Sequence, residues 1–359
     1  MRIPGFQFYT LVLVTFSAVS VLADDKVETV LEALINPCGV AVQPETGHVF
    51  VSDSGAGRII RVVDGKARDV ITDFPMDVYG EDPKYDIGPL GLLFLDKDTL
   101  VVGGGGNLDG EELVRVYAVP AAGKDAIKAD EMKESVGPLT KTEEIAGEGN
   151  FYAIAANETA IFVTSNGDDT KGWVARADHD GDGKLGELTR FIATKEATFD
   201  STKEAVDVDA PVGITISPDG YQVVVGQMGE ITDAKDSLLS FYAASDGTPL
   251  LNLETGLFDI TSLAYSPKTG QLYALDFAWK KSKEGGLFRL DGHGTGKDQT
   301  CEAVKRASLD KPTAMAFGPD GSLYMTIFGT TQEVKEDDKE KDAEKKRKPG
   351  KLLKVAPSL

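Results

Sequence analysis

The chain has 359 residues, and its 58 acidic and 38 basic side chains give a formal net charge of −20 at pH 7. Hydrophobic residues make up 41% and charged residues 27%, which is typical of a globular protein and excludes a disordered one. The negative charge argues against nucleic acid and anionic membranes as partners, because both would repel it. The 39 glycines predict many tight turns and therefore many short strands.

The first 23 residues have the pattern of a secretory signal peptide. Arg2 supplies a positive start, residues 8–22 are almost unbroken apolar sequence, and Ala23 fits a small-residue cleavage site. An uncleaved anchor is the alternative, but the run is short for a span of about 20 residues. No later segment is apolar enough to cross a bilayer. We therefore expect a secreted or periplasmic mature protein, residues 24–359, with no membrane span.

A module of three strands recurs six times along the rest of the chain. Each copy has an apolar first strand that contains a small residue, then a turn, a second apolar strand, a loop and a third strand. The small residues are 49–62 residues apart, with a mean of 55, which is about the size of a four-stranded propeller blade. They are Gly39, Gly91, Ala153, Gly213, Ser262 and Ala314.

The fourth strands predict how the blades close into a ring. Five copies are followed by a fourth strand, predicted at residues 67–71, 141–145, 188–192, 250–253 and 302–305. The sixth copy has none, whereas an extra strand, residues 26–31, precedes the first copy. Pairing of this strand into the last blade would remove the exposed edges that favour aggregation. The sequence therefore predicts an all-β, six-bladed β-propeller in a single domain.

Residues 36–62, NPCGVAVQPETGHVFVSDSGAGRIIRV, closely resemble an NHL repeat. Residues 217–220 and 318–321 resemble the first turn of the same repeat, and the other copies are looser. The resemblance implies membership of a broad group that includes binding propellers, gluconolactonase-like lactonases, streptogramin lyases and quinone-dependent sugar dehydrogenases. Fold alone does not choose among these functions.

The strand order indicates the face on which a ligand would bind. Links that enter the first strands share one face with the loops between second and third strands, and these segments are long and acidic. A solvated acidic rim would explain such loops equally well. The candidate ligand-face residues are Asp53, Tyr79, Tyr85, Asn166 and Asp276. The ligand could be a small molecule, a glycan or a protein, and we expect a monomer.

Catalytic groups are scarce on this predicted face. All three histidines, His48, His179 and His293, fall on the opposite face by strand count, so a histidine base at the channel mouth has no candidate. This argues against the quinone-dependent dehydrogenases, which would want such a histidine.

The lactonase metal site that the resemblance implies is matched only in part. Asp53 and Asp276 stand at its Asp position. Pro37 and Cys38 occupy the Glu position, and the Asn positions are occupied by Tyr152, Val212 and Thr261. We assign no catalytic residue and expect a binding module that acts through its acidic face. A metal-dependent hydrolase or lyase of the lactonase-like group is the alternative.

An acidic hairpin gives the most specific chemical signal. The alternating carboxylates Asp178, Asp180 and Asp182 resemble the first half of an EF-hand loop, in which Lys184 would add a backbone carbonyl and Glu187 a further carboxylate. The pattern then departs, because the twelfth position lacks a Glu and no helices flank the loop. We expect either a structural Ca²⁺ site or an empty Asp/Gly turn.

Two further features carry little functional signal. The two cysteines, Cys38 and Cys301, are expected to be separate packed thiols. Residues 332–348 contain seven acidic and seven basic side chains and interrupt the sixth module. We expect a solvated loop there, with a docking element as the alternative.

Overall fold

The apolar stretches between the Gly, Pro and Asp turns form strands throughout the part of the chain that the structure describes. The structure is a computed structural model that describes residues 26–80, 84–168, 171–180, 183–194, 210–229, 231–328 and 349–356, without the side chains of residues 166–168, 171 and 297. The predicted signal peptide and the segment 332–348 lie outside these residues. Helix in the described ranges is limited to three single-turn 3₁₀ segments, Ser54–Ala56, Ala129–Glu131 and Gly296–Asp298. None of them could span a membrane.

The strands form a six-bladed β-propeller, as predicted. Blade one consists of β2 (Gly39–Val42), β3 (Val49–Asp53), β4 (Arg58–Val63) and β5 (Lys66–Thr72). A hairpin of β6 (Asp77–Tyr79) and β7 (Tyr85–Ile87) links it to blade two. Blade two consists of β8 (Pro89–Phe94), β9 (Thr99–Gly104), β10 (Val114–Ala118) and β12 (Glu134–Val136), and the intervening β11 (Ile127–Lys128) adds a parallel fifth strand to blade one.

The remaining blades repeat the antiparallel pattern. Blade three consists of β13 (Ile154–Ala156), β14 (Ala160–Asp168), β15 (Lys171–Asp178) and β16 (Thr189–Ala193). Blade four consists of β17 (Ala210–Ile216), β18 (Gln222–Met228), β19 (Leu238–Ala243) and β20 (Pro249–Glu254). Blade five consists of β21 (Ile260–Tyr265), β22 (Leu272–Asp276), β23 (Gly286–His293) and β24 (Thr300–Ser308). Blade six consists of β25 (Pro312–Phe317), β26 (Leu323–Ile327), β27 (Gly350–Val355) and β1 (Val27–Leu34).

The predicted closure of the ring is confirmed. Strand β1 pairs antiparallel with β27, with Val27 opposite Val355 and Thr29 opposite Leu353. The strand therefore supplies the fourth strand of blade six from the opposite end of the chain. Its apolar side chains enter the cores on both sides of that blade, because Val27 packs between blades five and six, and Val30 between blades six and one.

The predicted fourth strand of blade two, residues 141–145, is wrong. The edge position is taken by β12, in which Val136 is buried and pairs with Val114. Residues 141–145 instead form a turn closed by the Thr142 amide, which donates to the Ile145 carbonyl at 2.8 Å. This segment offers only Ile145 as an apolar side chain, so it has little to bury against the sheet.

The small residues of the first strands mark the points at which neighbouring blades approach most closely. A Cβ atom at Gly91 would lie 2.7 Å from the Tyr152 carbonyl oxygen of blade three. One at Gly213 would lie 3.0 Å from the Ser262 amide of blade five, and one at Gly39 would collide with the Leu90 carbonyl of blade two. Small residues therefore recur at a regular spacing because the backbones of neighbouring first strands come this close around the central channel.

Removal of β1 tests the closure. A chain that begins at Ile35 should be less stable than one that begins at Lys26 by at least about 4 kcal/mol, because burial of each large aliphatic side chain contributes about 1.5–3 kcal/mol and several are lost. The free energy of unfolding, measured by urea denaturation, checks this. Equal stability of the two chains would contradict the closure.

Candidate functional site

A cavity of about 120 Å³ opens at one end of the central channel. Its wall is formed by the beginnings of the first strands, by the β6–β7 hairpin and by the loops that follow second strands. The wall is mainly apolar, and its aromatic side chains are Tyr79, Tyr85, Tyr152, Phe277, Trp279 and Phe328. The cavity lies on the predicted ligand face, but aromatic rings line it where carboxylates were expected.

The β6–β7 hairpin lies over the channel mouth because two of its apolar side chains are buried there. Tyr85 and Ile87 are 3% and 6% exposed and pack against Cys38 and Leu90. The hairpin is fixed from blade one by the Asn36 side-chain amide, which donates to the Asp86 carbonyl at 3.0 Å. One wall of the cavity is therefore a link between blades, held rigidly in place.

Four aromatic rings from three parts of the chain meet at this mouth. Tyr85 lies 5.9 Å from Trp279 and 5.4 Å from Phe328, measured between ring centroids. Phe277 lies 4.5 Å from Trp279 and 5.6 Å from Phe328. These distances and the tilted or edge-on angles are those that aromatic pairs favour.

A lysine lies behind the aromatic cluster. Lys311, in the link to β25, is 9% exposed, and its Nζ lies 5.4 Å from the Trp279 ring centroid and 5.6 Å from that of Phe277. The same nitrogen is 3.5 Å from the Tyr85 hydroxyl. The ammonium group is therefore stabilised by the faces of Phe277 and Trp279, and it also contacts the hydroxyl group of Tyr85.

Two buried carboxyl groups hold the loop that carries Phe277 and Trp279. The Asp276 carboxylate accepts the amides of Phe258, Asp259 and Ala278 at 3.1, 2.8 and 3.2 Å. The Asp259 carboxylate accepts the Trp279 amide at 2.7 Å. Burial raises the pKa of Asp259 to about 7, and the nearby Asp276 charge adds to this shift, while burial also raises the pKa of Asp276.

Tyr152 crosses the channel beneath the cavity. Its hydroxyl donates to the Thr313 carbonyl at 3.1 Å, so the side chain reaches from the start of blade three to blade six. A second cavity of about 360 Å³ continues on the far side and shares Cys38, Tyr152 and Thr261 with the first. Burial raises the pKa of Tyr152 well above its ordinary value and that of Cys38 to about 12, so neither group ionises near neutral pH.

The predicted ligand-face residues have different places in the structure. Tyr79 and Tyr85 line the cavity together. Asp53 is fully buried, accepts the Ile35 amide at 2.6 Å and pairs with Arg58 at 2.8 Å, while Asp276 holds the aromatic loop. Asn166 belongs to β14, and its side chain lies outside the described part of the chain.

The loop that follows β9 directs one of its acidic side chains into the protein. Glu112 is fully buried, and its carboxylate accepts the amides of Asn107 and Leu113 at 2.8 Å each. It pairs with Arg115 at 3.1 Å. This carboxylate therefore stabilises its own loop and does not face a ligand.

The residues proposed for calcium do not converge in the described part of the hairpin. The Asp178 carboxylate pairs with Arg176 at 2.8 Å, and Asp180 accepts the Lys184 amide at 3.3 Å. Glu187 is exposed, and Asp182 lies outside the described residues. Within the described residues no group of three or more His, Cys, Asp or Glu could hold a metal ion.

A lactonase-type metal does not fit the channel mouth. Cys38, Tyr152 and Val212 line the cavity. Asp53 is bonded by one backbone amide and by Arg58, and Asp276 by three backbone amides. A divalent ion would need several oxygen or nitrogen donors directed at one point, and these side chains do not supply them. The histidines lie at a β2–β3 turn (His48), after β15 (His179) and at the end of β23 (His293), away from this cavity. Both cysteines are free thiols.

Phe277, Trp279, Phe328 and Lys311 were missed in the sequence. A positional signal existed, because Phe277 directly follows the second strand of blade five and Phe328 that of blade six. Residues in this position face the channel mouth in a propeller. Aromatic residues are common in protein cores, so the presence of Phe and Trp in the sequence did not indicate a cavity wall.

Comparison with known proteins identifies the fold. No protein-family profile and no curated sequence matches the chain. Its structure is similar to a PQQ-bound aldose sugar dehydrogenase from Streptomyces coelicolor (15% identity, TM-score 0.56, covering 93% of this chain and 99% of that chain). It is also similar to a gluconolactonase from Xanthomonas campestris (14%, 0.52, 94% and 91%) and to a calcium-binding regucalcin from Agrobacterium tumefaciens (14%, 0.52, 93% and 93%). At these identities the similarity shows the propeller fold alone.

The buried carboxyl group of Asp259 predicts a pH dependence. Because its pKa is raised from 3.8 to about 7, the folded state holds this proton more tightly, so the contribution of Asp259 to the free energy of unfolding falls as pH rises from about 4 to 7. We expect Asp259→Asn to remove this fall, which is at most about 1.4 kcal/mol per pH unit. Urea denaturation at several pH values measures it, with the exposed Asp298→Asn as control. Parallel stability curves for the wild type and Asp259→Asn would contradict the assignment.

Proposed function

We propose that this chain is a binding propeller whose channel mouth takes a small, mainly apolar ligand that contains a single ring. The observation that carries the proposal is the cavity of about 120 Å³ with its aromatic wall. Ligand sites are typically concave and apolar, with a few polar groups that set orientation. A dry apolar cavity of about 150 Å³ holds benzene, so this volume suits one ring, with any substituent directed to solvent.

One polar group is placed to orient such a ligand. Asn150 lines the cavity, and its side-chain amide makes no hydrogen bond to another described residue. Thr261 also lines it, but its hydroxyl already donates to the Pro312 carbonyl at 2.9 Å. A ring with one hydroxyl or carbonyl group would therefore match the aromatic wall and Asn150 together.

Binding without reaction is supported by the state of the titratable groups. The Cys38 thiol and the Tyr152 hydroxyl stay protonated near neutral pH, since burial raises the pKa of both. Asp53 and Asp276 are buried and hydrogen-bonded within the protein. The lactonase-like alternative rests on the similarity of fold, and the described residues of the mouth do not supply a donor set for its metal.

We further propose that the protein acts outside the cytoplasm as a monomer after loss of residues 1–23. The pattern of the N-terminal sequence supports export, and the closed ring supports the monomer, because every blade already has two neighbours. Sequencing of the N-terminus of exported protein tests the first point, and sedimentation tests the second.

Binding of p-cresol tests the proposed function. Trp279→Ala should weaken p-cresol binding about tenfold or more, because it removes a ring face worth about 1.4 kcal/mol in contact and burial. Isothermal titration calorimetry measures the change. Trp173→Ala, which makes the same substitution in β15 of blade three, is the matched control and should leave the affinity unchanged.

Two outcomes would count against this function. One is the absence of p-cresol binding, or equal affinity in Trp279→Ala and the wild type. The other is hydrolysis of glucono-δ-lactone that depends on an added divalent ion and stops with EDTA, which would establish the lactonase-like alternative.

Calcium at the Asp178–Asp180–Asp182 hairpin stays a prediction with a direct test. Binding would require Asp178 to exchange Arg176 for the ion, so we expect a weak site that fills only at millimolar Ca²⁺. At ten times the dissociation constant the gain is about 1.4 kcal/mol, and EDTA should lower the melting temperature by a few degrees. Asp180→Asn should abolish this response, while Asp246→Asn, in the β19–β20 turn, should keep it. A wild type indifferent to EDTA would leave the hairpin as a turn.

A further inference from the structure

A separate cavity lies on the face of the propeller opposite the channel mouth, and charged side chains line it. It has a volume of about 310 Å³ and lies between the turns of blade one and the link that follows β10. Four cationic side chains line it, Arg61, Lys66, Arg68 and Lys124, together with His48. We call it the basic pocket. In a chain with a net charge of −20, such a cluster needs an explanation.

Arg61, on β4, is the centre of the basic pocket. It is 7% exposed and stacks on Phe50, with the guanidinium carbon 4.9 Å from the ring centroid. Its hydrogen bond to the Pro120 carbonyl fixes the guanidinium group, while its buried Nε has no partner. No carboxylate pairs with Arg61 among the described residues. A buried guanidinium without a counter-charge is costly, and burial lowers the pKa of Arg61 accordingly.

The pairing of strands in blade one adds a second unfavourable contribution to the stability of the fold. Arg61 pairs directly across the sheet with Arg68 on β5, so two like charges stand opposite each other on one face. Such pairs destabilise a sheet unless another charge lies between them. Arg68, Lys66 and Lys124 also form no ion pair with a carboxylate in the part of the chain that the structure describes.

Carboxylates near the basic pocket do not neutralise it. Asp64, Asp69 and Asp125 also line the cavity, and Asp69 is engaged by Arg58 at 3.1 Å. Four cations therefore face two unpaired carboxylates. The sequence has many acidic residues that could have supplied a partner for Arg61, yet the fold leaves this position open to the cavity.

We propose that the basic pocket binds a tetrahedral oxyanion, namely the phosphate or sulfate group of a small ligand. An oxyanion between Arg61 and Arg68 would offset both the burial of an unpaired guanidinium group and the repulsion between the two arginines. Guanidinium groups match the geometry of an oxyanion because they present paired N–H donors. The volume of the pocket lies within the range of small-molecule sites and leaves room for more than the anionic group. The site is separate from the aromatic cavity and does not depend on the function proposed there.

Calorimetric titration with inorganic phosphate and inorganic sulfate tests the proposal. Both are compared with chloride at equal ionic strength, because any salt screens the net charge of this protein. We expect a saturable site for at least one oxyanion and none for chloride. Phosphate binding alone would point to a phosphate ester as the ligand, and sulfate binding alone to a sulfate ester. Equal responses to all three salts would overturn the proposal.

Variants locate the site. Arg68→Gln and Lys124→Gln are exposed changes, and each should weaken oxyanion binding about threefold. Arg61→Lys keeps the charge but loses the paired donors and should weaken binding about tenfold. Lys283→Gln is the matched control, since it removes one exposed positive charge on blade five. Equal weakening by Lys283→Gln, or unchanged affinity in both Arg68→Gln and Lys124→Gln, would refute the site even if Arg61→Lys fails to fold.

Discussion

The pairing of β1 with β27 is the contact on which the rest of the structure depends. A propeller blade buries both faces only when it has a neighbour on each side, so an open ring would leave two faces without cover. Here the N-terminal strand completes blade six and places Val30 and Leu31 in the core shared with blade one. Because residues of all six blades line the mouth cavity, its geometry exists only in the closed ring.

Hydroxyl groups near the channel mouth reinforce this closure. The Thr164 hydroxyl of blade three donates to the Val212 carbonyl of blade four at 2.9 Å, and Thr313 of blade six donates to the Pro37 carbonyl at 2.6 Å. Ser52 of blade one makes the equivalent bond to Leu90 of blade two. These buried bonds satisfy carbonyls that the first strands cannot pair with each other, since those strands meet at an angle around the axis. They hold the loops above them at fixed separations.

The repeat allowed the fold to be predicted from the sequence, but the candidate site could be predicted only in part. Period and strand order predicted six blades and the closing strand, because each blade repeats the same burial pattern. The prediction of a strand at residues 141–145 was wrong because the true edge strand, β12, is short and polar and leaves almost no pattern in the sequence. Tyr79 and Tyr85 were found from loop position, whereas Trp279 meets Lys311 of the link to blade six and Tyr85 of the link between blades one and two. Their contacts depend on ring geometry, which no local pattern records.

The acidic residues at the ends of second strands explain why the channel mouth is not acidic. Asp53 ends β3 and accepts the amide of Ile35, which enters the first strand of the same blade, and Asp276 ends β22 and accepts those of Phe258 and Asp259 in the same way. In both blades the carboxylate joins the two loops that border the channel. The resemblance to a metal ligand arises because the same strand end can direct a carboxylate at an ion or at backbone amides. Because both carboxylates are bonded within the protein, the wall of the mouth is formed mainly by aromatic and aliphatic side chains.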